Sequence, residues 1–393
     1  MHHFTHYTPT KVIFGKSTQF QTASAIQEFG GSKVFIVYGG GSVVRSGLLA
    51  QITKNLEEHG LEYYVKGGVK PNPRLSFARE AVKESIAFGT DFVLGVGGGS
   101  VLDTAKAIAH GTANPEIDIW RFWSKELPIE KSLPIGAVLT ISAAGSETSD
   151  SAVLTNTETG RKCGTTTDLN RPKFAIMNPE LTYTLPIYQI GCGICDIMMH
   201  TLDRYFTPTK GNQLTDEIAE GLLRTLIANG RTAMQHPSDY DAMSEIMWAG
   251  SLSHNGLTGL GAEKDFAVHQ LGHELSAMFD IAHGATLTAV WSAWAHYVYE
   301  EHPERFAQYA RKVWGIREEE DEKAALAGIE ATVDYFRSLD MPVKFSDLAI
   351  GIQPVEVLER LADSCSYHRS RTIGSFKKCD RDAIFEIYKM ANC

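Results

Sequence analysis

FVLGVGGGSVLDTAKAIAHG, Phe92–Gly111, decides the fold. Phe92 to Val96 is an apolar run of strand length with no charged residue, the pattern of a strand buried on both faces. Gly97, Gly98, Gly99 and Ser100 follow it, and VLDTAKAIAHG then carries its apolar residues at helical spacing. The same grammar appears upstream. KVFIVY, Lys33–Tyr38, ends in Gly39, Gly40, Gly41 and Ser42, and the amphipathic SGLLAQITKNLEEHG leads away from it. Strands alternating with glycine loops and helices predict a mostly parallel sheet covered on both faces, with ligands where loops leave the carboxyl ends of the strands.

Working outward, Leu61–Val65 reads as a further strand closed by the turn Lys70-Pro71-Asn72-Pro73, and Arg79–Phe88 as a helix. From Pro134 the pattern changes to strands and turns, PIGAVLTIS and KFAIMNP, with a hairpin around Thr157–Gly160. Beyond Leu185-Pro186 helical spacing runs almost without interruption, through DEIAEGLLRTLIANG, YDAMSEIMWAGSLSHNG, ERFAQYARKVWG, EKAALAGIEATVDYFRSLD, PVEVLERLADSC and RDAIFEIYKMA. The expectation is an α/β domain over residues 1–186, Rossmann-like with a parallel sheet, followed by an all-helical domain over 187–393. No low-complexity linker parts them, so a cleft between tightly packed halves is expected. The doubled GGGS is two β-α units of one sheet, not a solenoid repeat.

In the helical half two stretches carry chemistry. GCGICDIMMHTLDRYF, Gly191–Phe206, places Asp196 and His200 four apart, one above the other on a helix face. AVHQLGHELSAMFDIAHGATL, Ala267–Leu287, repeats that spacing with His269 and His273 and adds His283 before a glycine. One carboxylate and up to four imidazoles converge from two helices and a turn, a donor set that suits zinc or ferrous iron. Capping and core packing would account for a single such pair; two pairs and a His-Gly turn in one apolar region favour a metal.

The glycine loops let backbone approach phosphate, with helix N–H groups behind them. VGGGSVLDTAK is not the G-x-G-x-x-G fingerprint, so the reading rests on two such loops in one sheet beside a metal site. YGGGSVVRSG has no acidic residue to hold a ribose hydroxyl. It offers Ser42 and Arg45 instead, which suit a 2′-phosphate, so NADP(H) is expected over NAD.

Size and charge close off other classes. The chain has 393 residues, 43% of them hydrophobic, and a net charge of -10 with no long Lys/Arg run, which argues against nucleic acid or an anionic membrane as partner. Gly284–Tyr299 is too polar for a membrane span and reads as a buried helix. The opening MHHFTHYTPTKVIF is polar and β-like rather than a secretory leader, and the scattered Cys163, Cys192, Cys195, Cys365, Cys379 and Cys393 form no disulfide framework, so a cytoplasmic enzyme is expected. Cys192 and Cys195 form a C-x-x-C without the βαβ context or second pair that a redox or zinc-ribbon role requires.

TPTKVIFGK, YGGGSV, PNP, GVGGGSVLDTAK, LTISAAGSE and NPELTYTLP, followed by D-x-x-x-H and H-x-x-x-H with the His-Gly turn, run in this order along nearly the whole chain. On those motifs the chain resembles the iron-type (group III) alcohol dehydrogenases, within them the NADPH-dependent aldehyde reductase and butanol dehydrogenase branch. The resemblance implies a dehydroquinate synthase-like fold and a metal-dependent oxidoreductase interconverting small aldehydes and primary alcohols with NADP(H) and Zn2+ or Fe2+. Its metal ligands would be Asp196, His200, His269 and His283, while His273 would lie beside nicotinamide and substrate. Gly97, Gly98, Gly99 and Ser100 match the pyrophosphate loop, and Asp103 the acid of that motif near the cofactor; His273 and Asp103 are the catalytic candidates. Thr140, Ser142 and Ser146 match the nicotinamide side, Lys162 a lysine reaching the ribose, and Asn72 the adenosine-side turn. Gly39, Gly40 and Ser42 match the 2′-phosphate pocket. One departure is Ala282, where the family often has proline before its last histidine.

Trp120, Trp123, Trp248, Phe266 and Met278 could line an apolar pocket, although core packing explains each as well. A metallohydrolase with Glu274 as base would use the same ligands, yet it leaves the glycine loops without a purpose. An NAD-dependent polyol dehydrogenase on the same scaffold is the nearer alternative. A dehydroquinate synthase-like lyase would want a basic phosphate cluster near the metal, which is absent around Asp196 and His269. The β-like N-terminus predicts an edge that pairs two copies into a homodimer.

Overall fold

The computed structural model describes residues 2–393. The chain forms two compact units, Tyr7–Leu185 and Pro186–Cys393, the second joined by the N-terminal residues up to His6.

The first unit is built on a six-stranded, wholly parallel sheet of β1 (Lys11–Phe14), β2 (Lys33–Tyr38), β3 (Glu62–Lys66), β4 (Phe92–Gly97), β5 (Ile135–Leu139) and β8 (Phe174–Met177), in the order β1-β8-β5-β4-β2-β3. Two further strands, β6 (Ser151–Asn156) and β7 (Arg161–Thr166), pair antiparallel as the hairpin read around Gly160. The helices are α1 (Thr22–Glu28), α2 (Ser42–Arg45), α3 (Leu48–Glu58), α4 (Leu75–Phe88), α5 (Gly99–Ala113) and the short α6 (Trp120–Trp123).

The unbroken apolar runs have a visible cause. In β2, Val34 and Ile36 join one core with Ile26, Ile52 and Leu56 of α1 and α3. Their neighbours Phe35 and Val37 join another with Ala81 of α4 and Ala105 and Ile108 of α5. Side chains alternate between faces and both faces are dry, so no polar residue can be accommodated. Each fully buried aliphatic side chain there contributes about 1.5–3 kcal/mol.

The direction of chain progression reverses between β2 and β4. β2 pairs with β3 on one side and β4 on the other, Tyr38 standing opposite Val96. The turns at residues 39–41 and at Gly98, each running straight into a helix, therefore leave the carboxyl ends of neighbouring strands at the switch point, where such sheets bind ligands.

The second unit is helical: α7 (Ile187–Tyr205), α8 (Gln213–Gln235), α9 (Tyr240–His254), α10 (Ala267–Phe279), α11 (His283–Val298), α12 (Pro303–Trp314), α13 (Asp321–Ser338), α14 (Val355–Cys365) and α15 (Arg381–Ala391). From Ile190 to Tyr205, α7 is buried around almost its whole circumference, with α8, α9, α10 and α11 packed against it. A helix enclosed in this way carries polar side chains only where they are paired or functional. The stretch Gly284–Tyr299 is the buried helix its composition predicts, α11. No described helix is long and apolar enough to cross a membrane.

Candidate metal centre and dinucleotide loops

Three helices rather than two helices and a turn bring the acidic and imidazole groups together. Asp196 and His200 lie one turn apart on α7, His269 lies in the first turn of α10, and His283 is the first residue of α11. Asp196 Oδ1 is 3.4 Å from His200 Nε2, 3.7 Å from His269 Nε2 and 3.9 Å from His283 Nε2. Asp196, His200 and His269 are buried, and each offers a ligand atom within 4.8 Å of the other two. Asp196 Oδ1 and His269 Nε2 have no hydrogen-bond partner although they are shut off from solvent. Buried polar atoms left unmatched are costly, and three ligand atoms held together, with His283 Nε2 at 3.9 Å from Asp196 Oδ1, fit a divalent ion that would satisfy them.

Electrostatics agree with that arrangement. Burial, with His254, His269 and Arg204 adding like charge, holds His200 well below the usual imidazole range, so it is a neutral ligand-competent ring. Burial also pulls His269 down, but the hydrogen bond to Asp203 and the negative charge of Asp203 and Asp196 outweigh it and raise the net value. His273 stands beside the cluster, its ring centroid 5.1 Å from that of His283 and 6.3 Å from that of His269. Ala282 has φ −56° and ψ 132°, a conformation that proline also adopts, so the departure from the family pattern leaves the entry to α11 unchanged.

Two residues at this centre escaped sequence reading. The ring of His254, at the end of α9, stacks on that of His200 with centroids 4.0 Å apart. Asp203 Oδ2 accepts a 2.6 Å hydrogen bond from His269 Nδ1. The first has no sequence signal, since α9 meets α7 only in the folded chain. The second does: Asp203 is three residues past His200 and seven past Asp196, on the same stripe of the helix.

Of the apolar pocket candidates, Phe266 meets the centre, its ring 5.3 Å from that of His269. It sits at φ 56°, a left-handed conformation uncommon outside glycine. Trp123 is core, its Nε1 donating to Ala152 O at 3.1 Å, and Trp248 is on the surface. Glu274, the base a hydrolase would need, is close enough to Cys365 and Tyr388 for its charge to raise both. Burial pushes the Cys192 thiol up to about 11, which makes it a poor nucleophile or redox group.

In the first unit the residues expected to meet a dinucleotide divide into two kinds. Gly98 has to be glycine, because a Cβ there would lie 2.0 Å from Ile141 Cγ2. Ser42 and Gly40 are exposed, and a Cβ on Gly41 would stand 3.2 Å from Arg45 Nη1, so the guanidinium lies over the loop. Lys162 Nζ donates to Asn72 Oδ1 at 2.9 Å, bringing together two expected cofactor residues from distant segments. Asn72 has φ 54°. Ser142 Oγ is buried without a partner, and the Thr140 backbone N–H donates to Gly97 O at 3.1 Å.

Asp103 and Ser146 are of the other kind. Ser146 Oγ donates to Asp103 Oδ1 at 2.7 Å and accepts from Lys106 Nζ at 2.8 Å, and Asp103 Oδ2 accepts from the Val153 N–H at 2.9 Å. Lys106 is wholly buried and donates to Ser151 O at 2.7 Å. Burial lowers its pKa to about 8 against the opposing pull of Asp103. These groups brace segment 142–151 against α5; sequence reading had no signal for Lys106, which lies in the same helical run.

Comparison with known proteins places this geometry. Residues 9–179 match the model described as iron-containing alcohol dehydrogenase, and 192–392 the one described as Fe-containing alcohol dehydrogenase family, C-terminal. The fold is that of an alcohol dehydrogenase of the iron-containing class, and the chain belongs to the iron-containing alcohol dehydrogenase family. It is 38% identical to NADH-dependent butanol dehydrogenase A of Clostridium acetobutylicum over 98% of each chain, and 36% identical to NADPH-dependent aldehyde reductase YqhD of Escherichia coli over the full length of both. The crystal structure of an NADH-dependent butanol dehydrogenase A from Thermotoga maritima superposes with a TM-score of 0.96 at 37% identity, covering 100% of this chain and 99% of that one.

Proposed function

We propose that this oxidoreductase reduces small aliphatic aldehydes to primary alcohols with NADPH, and that Asp196, His200, His269 and His283 hold its divalent metal ion. The observation that carries the reading is the convergence of three imidazole Nε2 atoms on Asp196 Oδ1. When bound, the metal supplies Lewis acidity and the dinucleotide a hydride. Three imidazoles and one carboxylate accept Zn2+ and Fe2+ alike. His273, beside that group, is the residue we assign to holding and passing the proton, and Phe266 gives the centre an apolar neighbour suited to an aliphatic chain. Loop 97–100 receives the pyrophosphate. Ser42 and Arg45 at loop 39–42 favour a 2′-phosphate, and so NADPH over NADH; Asn72 and Lys162 hold the ribose side. The exposed edge of β1 is where two copies would pair as a homodimer.

The test is a panel of aldehydes and alcohols run with NADPH and NADH in parallel, on protein whose metal content has been measured. Turnover of butyraldehyde with a lower KM for NADPH is expected. A metal-loaded protein that oxidises neither cofactor with any member of the panel would end the reading, and better use of a diol with NAD would redirect it to a polyol dehydrogenase.

A further inference from the structure

Among the proposed ligands, His269 is held by a carboxylate outside the ligand set. We propose that Asp203 is a positioning residue for the metal centre, fixing the tautomer and the aim of His269; this rests on the ligand assignment above. Asp203 Oδ2 lies 2.6 Å from His269 Nδ1 and 3.4 Å from the His269 backbone N. Both side chains are buried, that of Asp203 to 1% exposure. A carboxylate accepts and does not donate, so the proton of a neutral imidazole resides on Nδ1 and the lone pair on Nε2. Nε2 is the atom that faces Asp196 Oδ1 at 3.7 Å.

The backbone makes the same junction rigid. The Asp203 carbonyl accepts from the Asp265 N–H at 2.8 Å, and Asp265 Oδ1 caps the entry to α10 by accepting from the Ala267 N–H at 2.9 Å. Thus α7 supplies two ligands and, one turn later, the side chain and carbonyl that seat the helix bearing the third. His200 has no such support, for its Nδ1 is buried without a hydrogen-bond partner. Asp203 Oδ1 is likewise unmatched. A tie serving only to join α7 and α10 would need an acceptor at this place but no charge; an aiming carboxylate also strengthens the imidazole as a ligand.

The experiment compares the purified full chain with Asp203→Asn, Asp203→Ala and His200→Ala. It measures the zinc dissociation constant by competition with a chromophoric chelator and the rate at which bound zinc is lost. Asparagine keeps the shape and the acceptor and removes the charge. The expected result is about tenfold weaker zinc binding for Asp203→Asn and a loss nearer 100-fold for Asp203→Ala, both with faster release. The metal-free melting temperature of Asp203→Asn should stay at the wild-type value, which separates aiming from a merely structural tie. Wild-type zinc affinity in Asp203→Asn overturns the proposal. If His200→Ala loses zinc while Asp203→Asn does not, only the role of Asp203 falls; if His200→Ala keeps its zinc, the ligand set falls and this inference with it.

Discussion

Two buried polar clusters, one in each unit, look alike in composition and differ in closure. Asp103, Lys106 and Ser146 bond to one another and to the backbone of Val153 and Ser151. Asp196, His200 and His269 face inward, with Asp196 Oδ1 and His269 Nε2 unmatched. Burial penalises both clusters, and only the first answers the penalty from within. A closed cluster is part of the scaffold, whereas an open one with convergent donors is a place for something else to bind.

The largest effect should come from opening the ligand cluster further. His200→Ala is expected to lower bound metal from one per chain towards zero and to reduce turnover on the order of 10³-fold, the loss of several kcal/mol of charge stabilisation. Zinc should raise the melting temperature of the wild type and leave that of the variant unmoved, because only an intact site couples binding to stability. A variant that keeps its metal would erase the contrast between the clusters.

The closed cluster predicts the opposite pattern. Lys106→Met leaves Asp103 without its buried counter-charge and should cost about 3–5 kcal/mol in denaturant unfolding. Metal content should be unchanged. Unchanged stability with impaired metal binding would mean that the cluster in the first unit had been misread as scaffold.

How much of this was legible beforehand follows the same division. Periodicity reveals the parallel sheet because strand interiors such as Val34–Val37 are dry on both faces and tolerate no polar residue. It reveals Asp196 with His200, and His269 with His273, because side chains four apart on a helix share a face. Asp203 belonged to the same stripe and could have been read from it. His254 could not, since nothing local links α9 to α7. The start of α11 at His283 was also hidden: a histidine before glycine reads as a turn, and the packing that turns it into the first residue of a helix is tertiary. Lys106 shows the limit most clearly. In sequence it is one more lysine in an amphipathic run, and only the folded chain shows that it has no solvent.

His110 probes an unmatched atom that has no convergent neighbours. Its Nε2 is 2.8 Å from Asn170 Oδ1, while its Nδ1 is buried without a partner. Burial lowers its pKa to about 4. The unfolded chain takes up a proton near pH ~6.5 and the folded chain only near 4, so the unfolded state binds more protons in that window and stability falls as pH drops through it. The loss should approach about 3 kcal/mol between pH ~6.5 and ~4. His110→Gln should remove that slope from the unfolding midpoints without altering metal content. An identical slope in the variant would assign the acid sensitivity to other groups.

The smallest effect tests whether the first unit, closed at Asp103, is open at its surface loop. Arg45 lies over Gly41 beside exposed Ser42, at the end of the strand next to β4. An exposed guanidinium bonding a phosphate is worth about one to two kcal/mol, less than a buried one because solvent screens it. Arg45→Ala should therefore raise KM for NADPH roughly tenfold, with little change in kcat and little change in KM for NADH. The selectivity is the decisive readout. An equal shift with both cofactors would show that Arg45 acts on the loop itself, and no shift with either would remove the charge-based case for NADPH, leaving Ser42 and the glycine backbone to account for whatever preference remains.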